Sequence, residues 1–128
     1  NLDLLREMDT AAKLHKVHRL DPIVMAARTV VRMATRGGAT ALGMTGEVGS
    51  LAPGKKADLI TIDLDQPHLV PLYEPCSHLV YTARGADVRD AIIDGRVVMR
   101  NRELLTVDLD RVMAEVRGIA KRIRPETA

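Results

Sequence analysis

The sequence contains no phenylalanine and no tryptophan, and its only aromatic residues are Tyr73 and Tyr81. The core must therefore be aliphatic, and RNA-binding surfaces that stack bases on interleaved aromatics are excluded. Cysteine is equally scarce. Cys76 stands alone, which excludes an internal disulfide and fits a reducing compartment, so a cytoplasmic protein is expected. No apolar run is long enough to span a membrane, and no secretory leader is legible. An excess of one charge is missing too. Nineteen Lys and Arg against 17 Asp and Glu leave a formal +2, with the bases interleaved among acids. Neither a nucleic acid nor a membrane is expected as a partner.

What is present suits one folded domain. Nearly half of the 128 residues are hydrophobic, enough for a useful core and too many for a disordered chain. The chain opens on Asn1-Leu2-Asp3 without an initiator Met and runs directly into helical periodicity. A fragment, an excised domain or a processed product is the expectation.

Leu4, Met8, Ala11 and His15 recur at spacings of four, three and four, one stripe of an amphipathic helix that Asn1 is placed to cap. Asp21-Pro22 reads as the N-cap and first position of a second helix carrying Ile23, Ala26, Ala27, Val30 and Ala34. Thr35 is placed to cap a third, short helix that Gly43 stops. Gly37 and Gly38 weaken its interior and point to close packing there.

The chain is organised around Gly46 to Asp65. Glycines at 46, 49 and 54 permit positive φ, Pro53-Gly54 favours a tight turn, and residues 58 to 64 alternate as a strand with Ile60 and Ile62 on one face. Pro67, Pro71 and Pro75 forbid a regular helix or central strand from 66 to 75. Residues 76 to 83 fit a short helix or a strand. Asp94-Gly95 between two apolar runs is a strong hairpin signal. Asn101-Arg102 ends that hairpin, and Leu104-Leu105 suits a third strand. A last helix begins at Asp108, carries Leu109, Val112, Met113, Val116, Ile119, Ala120 and Ile123 as one stripe, and stops before Pro125.

The chemistry-bearing residues do not assemble into a site by spacing. His15 and His18 lie three apart on a helix and could reach one metal ion, but zinc takes three or four ligands and no cluster completes the set. His68 and His78 flank the proline-rich loop, where a histidine beside Glu74 could act as a base; no nucleophile accompanies them. Cys76 reads as a buried or semi-buried structural thiol. Gly54-Lys55-Lys56 precedes a strand, whereas a phosphate-binding loop needs Gly-Lys-Ser/Thr opening a helix. Met8, Met25, Met33, Met44 and Met113 read as core filling.

The order of these pieces resembles the C-terminal part of the amidohydrolase superfamily. Gly49-Ser50-Leu51-x-x-Gly54-x-x-Ala57-Asp58-Leu59-Ile60 is similar to its Gly-x-Ile/Leu-x-x-Gly-x-x-Ala-Asp-Leu segment. Thr35-x-x-x-Ala39-x-Ala41-Leu42-Gly43 resembles the helix before it, and 88 to 98 resembles the later hairpin. Asn1-Leu2-Asp3-Leu4-Leu5-Arg6-Glu7-Met8 resembles the segment after the last barrel strand in the chlorohydrolase/triazine hydrolase (ATZ/TRZ) branch, which includes methylthioadenosine/S-adenosylhomocysteine deaminases.

The resemblance implies an α+β fragment: terminal helices of a (β/α)8 metal-dependent hydrolase barrel at 1–45, C-terminal strands of a composite β-sandwich domain at 46–106, and a terminal helix at 107–128. It implies a parent enzyme that hydrolyses a C–N bond of a small heterocyclic substrate with zinc or another divalent metal. The family's His-x-His pair, later histidines and Asp do not map onto this sequence, the Asp being expected shortly before Asn1. No catalytic, cofactor-binding or metal-ligating residue is therefore expected within the chain, and the fragment should be inactive. Missing N-terminal strands imply exposed strand edges, with a homo-oligomer or strand-exchanged self-association. The alternative is an autonomous α+β interaction module.

Overall fold

Asp3 opens the fold as the N-cap of α1 (Leu4–Arg19), its Oδ1 accepting the backbone N–H groups of Leu5 and Arg6 in the computed structural model, which describes residues 2–123. Asn1, expected to cap this helix, and Pro125, expected to follow the last one, lie outside the described residues. The buried stripe of α1 is Leu5, Met8 and Ala12, whereas Leu4 and His15 are exposed. The expected stripe is turned by about one residue because the packing partners lie on the 5/8/12 face, and Leu4 looks into an open groove.

The second helix begins five residues later than Asp21-Pro22 suggests. The Asp21 carboxylate accepts the N–H of Ile23 at 2.9 Å, a local turn that competes with helix formation. The Lys16 ammonium donates to the carbonyls of Pro22 and Val24, which a helix from Pro22 would have used internally. Helix α2 (Ala27–Arg32) then continues through a π-helical turn, Met33–Gly37, into α3 (Gly38–Ala41). Thr35 therefore sits inside a continuous helical run and caps nothing; its hydroxyl donates back to the Val31 carbonyl. Gly43, with φ +69°, ends the run as expected.

Close packing occurs at Gly49 instead of Gly37 and Gly38. A Cβ on Gly49 would lie 2.7 Å from the Ala39 Cβ, while at Gly37 it would meet only ordinary contacts. The 46–58 segment is thereby laid against α3. Lys55 fixes it further by donating to the carbonyls of Thr45 and Val48.

Strand β1 (Leu59–Ile62) pairs antiparallel with β2 (Val88–Ile93), β2 with β3 (Arg96–Arg100), and β3 with β4 (Glu103–Leu104), giving the sheet order β1-β2-β3-β4. Both two-residue loops of this meander use left-handed backbone: Asp94 and Gly95 at φ +50° and +77°, Asn101 and Arg102 at +47° and +67°. The third strand starts one residue earlier than Leu104-Leu105. The Ala57-Asp58 pair that opens β1 also holds the far hairpin: Asp58 Oδ1 accepts the Asp94 N–H at 2.6 Å, and the Ala57 carbonyl accepts that of Gly95. Strand β1 lies at one end of the sheet.

Residues 66–74 carry no regular element, and 75–81 resolve as α4 (Pro75–Tyr81) instead of a strand. Glu74 is its N-cap, accepting the Ser77 N–H at 2.6 Å, and Pro75 opens the helix. Helices α1, α2 and α4 pack on one another around Leu5, Met8, Ala12, Val30, Leu69, Val80 and Ala83, and the sheet joins this core through Ile62 and Val88. A 3-10 turn, Gly85–Asp87, links α4 to β2; the Gly85 N–H donates to Asp3 Oδ2, and the Arg102 guanidinium donates to the carbonyls of Gly85, Ala86 and Val88. Of the methionines read as core, Met8 is buried, but Met33 and Met113 are exposed. Helix α5 (Leu109–Ile123), with Asp108 accepting the Arg111 N–H, is exposed along its whole length.

Candidate functional site

The most apolar concavity is an open groove of about 730 Å³ between the helical layer and the β1 face of the sheet. Its walls are aliphatic, with Leu2, Leu4, Ile60, Ile62, Leu64 and Leu79 among them. The β-alternation places Ile60 and Ile62 on this face. Three polar side chains reach the lining: Asp3, Thr35 and His78. Asp3 is engaged as a helix cap, and Thr35 with the carbonyl one turn back. His78 is held through both ring nitrogens, Nδ1 near the Glu74 carbonyl (3.2 Å) and Nε2 near that of Pro71 (3.0 Å). A neutral imidazole donates to one of these at a time. The groove therefore offers apolar surface and no free acid–base group.

Elsewhere the structure pairs residues that the sequence kept apart. His68 Nε2 lies 2.9 Å from Asp87 Oδ2, which also accepts the Arg84 backbone N–H at 2.8 Å. Asp87 is buried and the His68 side chain about one-third exposed. Burial pushes the Asp87 carboxyl up, but the bonds from His68 and Arg84 outweigh it and hold the group below its ordinary value. Among the described residues no Ser, Thr or Cys side chain is hydrogen-bonded to the His68 ring, so the pair fastens the 63–74 loop to the Gly85–Asp87 turn without composing a nucleophilic site. Sequence reasoning missed this pair, since no motif links residues 68 and 87.

The other sequence candidates are dispersed. His15 and His18 are exposed on α1. The expected His–Glu74 contact does not form through the carboxylate, which caps α4 and faces Arg28 at 3.5 Å. Cys76 is half-buried in the first turn of α4, at a helix start that the sequence left undecided. Lys56 pairs with Glu47 at 2.9 Å, a hydrogen bond that raises its pKa, and Lys55 is turned onto its own loop. Both lysines close the loop on itself. Among the described residues no group of three or more His, Cys, Asp or Glu is placed to hold a metal ion. The donor set present here does not fit a divalent metal. No helix among them is long and apolar enough to cross a membrane.

Comparison with known proteins supplies what the side chains do not. Residues 1–98 match the sequence family described as Amidohydrolase family. The chain is 61% identical over 125 residues to a 5-methylthioadenosine/S-adenosylhomocysteine deaminase of Syntrophobacter fumaroxidans, covering 98% of this chain and 28% of the relative. Among solved structures it is similar to a zinc-bound adenosine deaminase from Xanthomonas campestris, with TM-score 0.91, 38% identity, and 94% of this chain and 28% of that one covered. It is also similar to the zinc complex of atrazine chlorohydrolase TrzN from Arthrobacter aurescens, with TM-score 0.81, 28% identity, and 90% and 26% covered. The chain thus spans little more than a quarter of the length of the proteins it matches.

Proposed function

The chain belongs to the amidohydrolase family, and from that premise we propose that it is the C-terminal portion of a metal-dependent aminohydrolase acting on a purine nucleoside or related heterocycle. The net reaction adds water at the ring carbon bearing the amino group and releases ammonia, leaving a ring carbonyl. In this reading 1–45 supply terminal barrel helices, 46–106 the C-terminal strands of the composite β-domain, and 107–128 a terminal helix. A divalent metal, zinc in the solved relatives' names, would be held by residues outside this chain, whose own histidines are scattered or engaged.

The observation that carries this reading is the 61% identity over nearly the whole chain to a relative more than three times as long. The apolar groove agrees with it: a wall of Leu and Ile side chains is what a barrel helix layer presents to the rest of its barrel. The role of this chain is then to close the barrel and brace the β-domain, without contributing a catalytic or metal-binding side chain.

The test compares this chain with the longer reading frame that contains it, assayed for ammonia release from adenosine, 5-methylthioadenosine and S-adenosylhomocysteine. The longer protein should deaminate at least one of them and lose activity on chelation, while the chain alone should be inert. Chelator-resistant activity in the chain alone, abolished by His68→Ala or His78→Ala, would overturn the assignment.

A further inference from the structure

Helix α5, the terminal helix of the enzyme reading, carries an apolar seam to which that reading gives no role of its own. Leu109, Val112, Val116, Ile119 and Ile123 follow one another at spacings of three, four, three and four, the a/d pattern of a helix built to pack against another helix. All are exposed, from 37% at Val112 to 79% at Ile123. Asp108 caps the start of the helix, so the element is specified locally and presents its seam without a cover among the described residues.

The residues flanking the seam select the occupant. On one side stand Glu115 and Arg122, seven apart and of opposite sign; on the other stand Met113 and Ala120, which leave that flank apolar. Alignment with a parallel copy sets Glu115 beside Ala120 and pairs no charges. An antiparallel copy that sets Val116 against Ile119 of the second copy, and Val112 against its Ile123, brings Glu115 beside Arg122 twice over by symmetry. The same arrangement sets Met113 beside Ala120 and opposes the two helix dipoles. Among the described residues Glu115 makes a long contact with Arg111, 3.9 Å between exposed groups.

We propose that α5 is a self-association element, pairing antiparallel with α5 of a second copy of this chain through the Val112–Ile123 seam and the reciprocal Glu115–Arg122 pairs. The proposal goes beyond the enzyme reading and stands or falls apart from it. A seam of about four layers on a 15-residue helix gives a weak, concentration-dependent dimer.

Sedimentation equilibrium on the whole 128-residue chain tests it. Ile119→Asp should weaken dimerisation by about tenfold or more, since it buries a charge at the central layer. Glu115→Arg and Arg122→Glu should each weaken it by roughly threefold, and the double exchange should return it to within about twofold of the original. Because 115 and 122 are surface positions, the exchange reads the interface with folding intact. A monomeric chain, a dimer indifferent to Ile119→Asp (as an association through the groove would be), or a double exchange no tighter than the single changes would each overturn the proposal.

Discussion

Oδ1 of Asp58 accepts the backbone N–H of Asp94 at 2.6 Å across 36 residues of sequence. The start of the first strand thereby grips the turn of the next hairpin, and the adjacent Ala57 carbonyl receives the Gly95 N–H. Two segments that carry the family resemblance are thus one structural device, an acceptor pair holding a left-handed turn.

Asp58→Ala should therefore destabilise the sheet by about 0.5–1.5 kcal/mol, the range for an ordinary intramolecular hydrogen bond, because solvent exposure offsets the gain from the carboxylate's charge. Amide exchange would locate the effect. The Asp94 and Gly95 amides should exchange faster while those of α1 keep their protection.

The His68–Asp87 pair predicts acid sensitivity. Asp87 has a folded-state pKa below its ordinary value of 3.8, so the unfolded chain binds the proton more readily. Its contribution is present in full above that value and disappears as pH falls through the lower, folded one. Thermal melts of the chain between pH 5 and the acid limit, about pH 2, should show a loss of stability that is smaller in Asp87→Ala, which is already destabilised by about 1–3 kcal/mol at neutral pH. An identical acid profile in both proteins would remove the pair from this account.

Gly49 is irreplaceable for two separable reasons, its φ of +84° and the Ala39 Cβ that a side chain would approach to 2.7 Å. Gly54 has almost the same φ, +85°, and open space around it. Gly54→Ala should cost about 1 kcal/mol from backbone strain alone, and Gly49→Ala about 2–4 kcal/mol. Urea titrations of the two variants separate strain from crowding. Equal midpoints would mean that the approach to Ala39 relaxes freely.

Chelation should leave the chain's melting temperature unchanged, because no metal cluster is assembled among the described residues. Added zinc should likewise leave the melt of His15→Ala/His18→Ala indistinguishable from that of the original chain. A zinc-dependent rise in melting temperature that vanishes in the double variant would show that those two histidines recruit a ligand.

Much of the local structure was legible. The hairpin at Asp94-Gly95 and the stop at Gly43 depend on residues that tolerate positive φ, a property of the residue itself. The capped terminal helix follows from Asp108 and a seven-residue stripe. Local preference gives way where a distant group outcompetes it. Asp21-Pro22 has the chemistry of a helix start, but Lys16, one helix earlier, captures the carbonyls such a helix needs. Thr35 has the chemistry of a cap, but the helical run continues through it. Gly37 and Gly38 suggested crowding that the fold places at Gly49, because crowding depends on which segment arrives opposite.

The sequence alone determined the aliphatic character of the core, the element types flanking Gly46 to Asp65, the family, and the lack of a metal-ligand pattern, all carried by residue identity and short spacing. Tertiary structure alone decided that Asp87 meets His68, that Asp58 meets Asp94, and that the Leu and Ile side chains of the first helix and first strand form one open groove. These are contacts between residues far apart in the chain. Their geometry is set by how the helical layer and sheet pack, and a one-dimensional pattern does not carry that information.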